Sequence, residues 1–252
     1  MISGLFVICS IFKKTLRKVF QGGLLNKTLQ VPLGTTDNSL GFQPQAGEQF
    51  QAVEHEVFTL NEFHSFLSSK GTNNQHTRKS LLTYYRKQGR ITSIKRGLYA
   101  VIPTDTQPEN FPVDPFLIAS KMSSDAVLGY HTALEFYGRA YSVFTKFYYV
   151  TSKKTLPLQF QSSEIIGVMQ PRTLRDKAKE DFCVKESLRG GFQVRVTNFE
   201  RTLVDMLDRP ELSGSWEEIW RSLEFVEYFD LDQVLEASFI IQLTLLSKFI
   251  DL

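Results

Sequence analysis

Two cysteines in 252 residues, Cys9 and Cys183, are too few and too far apart to build a disulfide framework or a zinc site. A reducing cytosol is the simpler setting for such a chain. The four histidines, His55, His64, His76 and His131, stand at no metal-ligand spacing from one another or from a cysteine. Long apolar runs are also missing. Residues 5–12 form an apolar run with Ser10 inside it, too short to span a bilayer, and the basic residues follow it, opposite to a secretory signal. A helix lying on a membrane surface is the alternative there. The apolar stretch 237–250 is too short to cross a membrane as a helix. Glycine-rich phosphate loops are absent: Arg189, Gly190 and Gly191 lack the spacing and read as a turn. No Gly-x-Ser-x-Gly elbow occurs. These absences predict a cytoplasmic protein with no cofactor, no metal, no membrane partner and no recognisable catalytic motif.

Neither sign of charge is in excess over the whole chain, whose formal net charge is +2. The distribution is uneven. Residues 57–102 hold eight Lys or Arg and one acid, Glu62, a net of +7, whereas residues 103–252 hold 16 bases and 22 acids, a net of −6. A basic segment on an acidic remainder is the electrostatic footprint of a phosphate binder, and equally that of a solvated charged face. Charge alone does not choose between them.

The order of elements in the basic segment narrows the choice. A weak helix is expected over 46–55. Thr59 and Glu62 form a capping box that opens a helix carrying Leu60, Phe63 and Leu67 and closed by Gly71. Thr72 and Gln75 offer a second box, opening a helix to about Gln88 with Gly89 as its stop. The period then changes to two. Residues 91–94 and 98–102 read as strands around a tight turn at Lys95, Arg96 and Gly97, and Pro103 ends the hairpin. Three helices followed by a ribbon is the order of a winged helix-turn-helix domain. Downstream, helices are predicted at about 114–122, 125–137 and 197–207, from a box at Ser215, and from Asp230. Strands are predicted at 144–152, 160–169 and 191–196. The expected fold class is α+β: a leader over 1–44, an N-terminal winged helix-turn-helix domain over 45–104, a mixed α/β domain over 112–236, and an apolar C-terminal helix over 237–252.

On the helix after Gly71, successive residues 100° apart place Leu81, Leu82 and Tyr85 within one arc, which must face a core. The opposite arc holds His76, Lys79, Ser80, Thr83 and Lys87, with Arg86 on its shoulder. Asn74, Gln75 and His76 stand at the helix N-terminus, which enters the major groove first in helix-turn-helix proteins. Lys79 can reach a guanine edge or a phosphate, and Ser80 and Thr83 can meet base edges or phosphate oxygens. Lys95 and Arg96 at the hairpin tip are expected to contact phosphates or the minor groove. The expected partner is double-stranded DNA; a winged-helix fold used for protein contact is the alternative.

Residues 77–103, "TRKSLLTYYRKQGRITSIKRGLYAVIP", resemble the winged-helix domain of AbiEi-type antitoxins. The stretches "GYHTALEFYGRAYSVF" (129–144) and "VTNFERTLVDMLDRPELSG" (196–214) resemble the same family, and the similarity covers about residues 45–236. The resemblance implies the regulator half of a type IV toxin–antitoxin system linked to abortive phage infection. Its N-terminal domain would repress its own operon at inverted repeats. Its C-terminal domain would antagonise a nucleotidyltransferase-like toxin without stable binding between the two. The 45-residue leader and the end after "FDLDQVLE" depart from the family pattern, which raises the expectation of a truncated or frameshifted C-terminus.

His131 and Glu135, and likewise Arg201 and Asp205, are spaced i,i+4 on predicted helices. Each reads first as a structural pair. Because the second pair lies in the family stretch, His131, Glu135, Arg201 and Asp205 are carried as the candidate antitoxin surface. Two other functions stay open: a nucleotide- or RNA-acting enzyme built around His131, Glu135 and Asp205, and a truncated, non-functional remnant.

Overall fold

Thr59 both ends a strand, β1 (Val57–Thr59), and caps a helix, α1 (Leu60–Ser69). The computed structural model that shows this describes residues 56–69, 71, 74–103 and 111–241; the leader, the helix expected over 46–55 and the chain after 241 lie outside the described residues. The capping box forms in full. Thr59 Oγ1 accepts the Glu62 amide at 3.2 Å, and Glu62 Oε2 accepts the Thr59 amide at 2.6 Å. α2 (Gln75–Lys87) begins differently from expectation. Its cap is Asn74 rather than Thr72, with Oδ1 accepting the His76 amide at 2.8 Å. An asparagine reaches the amide two residues on as readily as a threonine reaches three on.

The hairpin β2 (Ile91–Lys95) and β3 (Leu98–Val101) stands where the change of period predicts it, with Gly97 at φ 84° in its turn. Strand β1, three residues long, is too short to reveal a period in sequence. It pairs antiparallel with β3 to give the order β1-β3-β2. Alternation along the strands divides their side chains between two faces. Phe58, Ile91 and Tyr99 pack on Phe63 and Leu67 of α1 and on Leu81, Leu82 and Tyr85 of α2. Val57, Ile94, Leu98 and Ala100 face the other way, into a core with Phe116, Leu117, Phe147, Ile165 and Val196. The basic segment and the region after it therefore share a core.

That region is built on α3 (Pro115–Ser120), β4 (Val127–Leu128), α4 (His131–Phe136), β5 (Lys146–Thr151), β6 (Leu158–Phe160), β7 (Ser163–Met169), α5 (Arg172–Asp176), β8 (Val184–Arg189), β9 (Phe192–Thr197), α6 (Phe199–Asp208), α7 (Trp216–Leu223) and α8 (Leu231–Ile241). The strands form one mixed sheet, β6-β7-β5-β4-β9-β8, in which β5 runs parallel to β7 and β4 parallel to β9. Helices and sheets segregated in this way make the chain α+β.

Four further expectations need correction. The helix over 125–137 is a short strand and a short helix, broken at Gly129 and Tyr130, because a brief buried apolar run carries no distinguishing period. The strand over 160–169 is a hairpin turning at Gln161, which takes φ 50°. Strand β8 has no counterpart among the expected elements, since Lys185, Glu186 and Arg189 give it the polarity of a loop. The box at Thr197 does not form. Asn198 caps α6 by accepting the Arg201 amide at 2.9 Å, and Glu200 instead accepts the Asp230 amide at 3.1 Å, tying the start of α8 to α6.

On α8, Val234, Ala237, Ile240 and Ile241 are buried, but Leu235 and Phe239 are exposed, so the helix is apolar on a solvent face as well. Among the described residues, no helix is long and apolar enough to cross a membrane.

Gly129 stands in the turn between β4 and α4, close against the side chain of Val150. A Cβ there would lie 2.8 Å from Cγ2 of the buried Val150. Gly129→Ala is expected to destabilise the protein by about 1–3 kcal/mol through overpacking. A urea midpoint unchanged by the substitution would contradict this packing.

Candidate nucleic-acid interface

The outward face of α2 follows from its inward one. With Leu81, Leu82 and Tyr85 held against the β1-β3-β2 sheet, His76, Lys79, Ser80, Thr83, Arg86 and Lys87 are all exposed, as the arc argument requires. Asn74 and Gln75 are exposed at the N-terminus. Several of these groups already have local roles. The Asn74 carbonyl oxygen is held by the cap, leaving its amide NH2 to a partner. The Thr83 hydroxyl donates to the Lys79 carbonyl at 2.9 Å, so towards a ligand it presents lone pairs and its methyl group. Arg78 turns aside from the face and donates to Ser68 Oγ at 2.5 Å, joining α2 to α1. No acidic residue occurs anywhere on α2. An open groove of about 470 Å³ runs between the C-terminal half of α2 and β2, lined by Thr83, Arg86, Lys87 and Thr92 among others. Tyr84 is 56% exposed and stands edge-on to Tyr85 beside this face.

The hairpin tip departs from expectation. Arg96 is exposed. Lys95 is not a free cation at the tip: its ammonium donates to the Met122 carbonyl at 2.8 Å and is partly buried. Burial pushes its pKa down from the ordinary lysine value. The reason is the shared core, which lays the hairpin turn against the end of α3. Lys121, next in that contact, pairs with Glu62 at 2.7 Å. Burial pushes the Glu62 carboxyl up, but the bonds from Lys121 and Thr59 together outweigh it and hold the carboxyl below its usual range.

The second candidate surface is not a surface. His131 is fully buried, with its ring stacked on Phe144 at 3.8 Å between centroids. Its Nε2 lies 3.2 Å from Glu218 Oε1, and its Nδ1 lies 3.6 Å from Glu135 Oε2. Arg201 and Asp205 are each 1% exposed, and Arg201 Nε donates to both Asp205 oxygens at 2.9 and 2.8 Å. Arg201 also donates to the Phe182 carbonyl at 3.3 Å. Helical spacing brings each set of residues together, but α4 and α6 pack inward, so that His131, Arg201 and Asp205 are buried and Glu135 is partly buried.

Sequence reasoning missed Glu218, the residue that ties α7 to this interior. Its amide is capped by Ser215 Oγ at 3.2 Å, as the box predicts, but its carboxylate does not reach back. It accepts instead from the Ser142 amide at 2.9 Å, the Ser142 hydroxyl at 2.7 Å and the Ser222 hydroxyl at 3.3 Å. Burial pushes this carboxyl up, but the Ser142 hydroxyl and amide, with His131, more than offset it, and its pKa sits below the ordinary value. A carboxyl held down in the folded state contributes stability above its unfolded pKa, about 4.3, and that contribution is lost as the pH falls through the folded value. Wild type is therefore expected to lose stability below about pH 4 more steeply than Glu218→Gln. Parallel acid-unfolding curves for the two proteins would contradict this.

No protein-family model matches the chain, and no curated protein is similar to it. Among solved structures it is similar to the RV2827C protein from Mycobacterium tuberculosis, at 16% identity and a TM-score of 0.48, over 78% of this chain and 74% of that one.

Proposed function

We propose that this chain is a cytoplasmic, DNA-binding transcriptional repressor of its own operon and the antitoxin of a type IV toxin–antitoxin system. In this reading residues 57–102 act as a winged helix-turn-helix. α2 enters the major groove with Asn74, Gln75 and His76 leading, and Lys79, Ser80 and Thr83 meet base edges and phosphates. Lys87 contacts the backbone, and Arg96 reaches it from the hairpin, which serves as the wing. Two copies occupy the two halves of an inverted repeat.

The observation that carries the reading is the outward face of α2. It is polar, cationic and exposed along its whole length, on a helix without a single carboxylate. An ordinary solvated helix commonly mixes charges of both signs, whereas one that lies along a polyanion gains from an excess of cations.

The antitoxin role is supported by the resemblance of residues 129–144 and 196–214 to AbiEi-type antitoxins. It takes as its counterpart a nucleotidyltransferase-like toxin opposed without a stable complex. The alternative reading, an enzyme acting on nucleotides or RNA through His131, Glu135 and Asp205, would require the domain to open around the buried His131 and Asp205.

Footprinting on the DNA upstream of the gene tests the repressor reading. Protection of two half-sites about one helical turn, or a multiple of it, apart is expected. Uniform cleavage at all protein concentrations would count against it. Co-expression with a neighbouring nucleotidyltransferase-like gene tests the antitoxin role: restored growth supports it, and unrelieved growth arrest opposes it.

A further inference from the structure

The hairpin turn and the second region flank an open cleft of about 540 Å³, lined by Thr59, Lys95, Arg96, Lys121, Ser124 and Arg195 among others. Its cations differ in how they are neutralised. Lys121 is paired with Glu62, and Arg195 with Asp181. Lys95 and Arg96 have no carboxylate partner among the described residues. Lys95 uses one of its three donors, on the Met122 carbonyl, while partly withdrawn from water. An ammonium held in this way is under-solvated, and an arriving anion would recover the lost interaction.

We propose that this cleft is a binding site for a phosphoryl group, with Lys95 and Arg96 as its charged donors. Glu62 lies in the same cleft, but its oxygens are engaged by Lys121 and Thr59, so its charge is already spent on the protein. The volume is that of a small-molecule site, and the cleft is lined by serine hydroxyls as well as by cations. The phosphoryl group has two sources: a free phosphorylated small molecule, or a backbone phosphate of duplex DNA beyond the reach of α2. The first stands on the geometry of the cleft alone. The second rests on the DNA-binding reading above.

The test uses the full chain, Lys95→Met and Arg96→Gln. Methionine keeps the aliphatic stem of Lys95 in place, and Arg96 is exposed, so Arg96→Gln guards against a failure of the first variant to fold. Pyrophosphate is titrated calorimetrically, and a random-sequence duplex by anisotropy over a series of salt concentrations. With a small-molecule source, wild type binds pyrophosphate and both variants bind it about tenfold or more weakly. With DNA as the source, pyrophosphate gives no heat, and Lys95→Met lowers the salt slope for duplex by about one unit. Pyrophosphate and duplex binding both indifferent to Lys95→Met would overturn the proposal. Duplex binding indifferent to Lys79→Ala would overturn the DNA reading instead, and would leave the pyrophosphate result standing.

Discussion

Replacing Arg201 by methionine should cost about 3–5 kcal/mol of folding stability. The guanidinium and the Asp205 carboxylate are both shut away from water, one turn apart on α6, and bonded through Nε to both oxygens. Burial pushes the Asp205 carboxyl up, and Arg201 is the chief influence opposing it. Without Arg201 the carboxylate must either stay charged in a dry site or take up a proton, and both alternatives weaken the fold. The Phe182 carbonyl loses a donor as well. The same logic predicts recovery. Arg201→Met combined with Asp205→Leu removes both charges and leaves apolar groups of similar size, so most of the lost stability should return. Urea midpoints of the two single variants and the double variant check the cycle. A loss below about 1 kcal/mol for Arg201→Met would mean that the pair is solvated like a surface bridge.

The second large effect concerns DNA. Lys79→Ala and Arg96→Ala should each weaken operator binding about tenfold or more, with little change in thermal stability. Both side chains are exposed, so truncation removes no packing that the fold depends on. The two should differ in kind. Lys79, on the outward face of α2, is proposed to meet a base edge, so its loss should also relax sequence preference. Arg96, on the hairpin, should weaken specific and random duplex alike. Full-strength binding by the double variant would remove the face assigned here from the interface.

How much of this was legible in the sequence differs from residue to residue, and the difference is one of range. The face of α2 was legible because a 3.6-residue period places Leu81, Leu82 and Tyr85 on one side, and everything opposite them must then face outward. The Thr59–Glu62 box and the hairpin around Gly97 were legible for the same reason: their partners lie within a few residues. The pairing of Arg201 with Asp205 was legible as a spacing, but its burial was not, because that depends on the packing of α6 against the rest of the domain. His131 shows the limit most clearly. Its i,i+4 neighbour Glu135 could be named from sequence, whereas Glu218, 87 positions away, could not. The seat of Lys95 on the Met122 carbonyl, 27 positions away, was equally invisible, and it moves one predicted tip cation into the cleft. Of the candidate DNA contacts, those on α2 depended on local geometry and keep their exposure. The pairs proposed as a surface in the second region depended on tertiary packing, which turns them inward.

If the basic segment grips a polyanion as proposed, its affinity for duplex DNA must depend on salt. Equilibrium affinity of the full chain for duplex DNA from upstream of its gene should fall linearly on a double-logarithmic plot against salt. The slope should drop by about one unit for each of Lys79, Lys87 and Arg96 replaced by alanine. Affinity that is independent of salt, or slopes unchanged by all three substitutions, would leave the basic segment with no part in holding DNA.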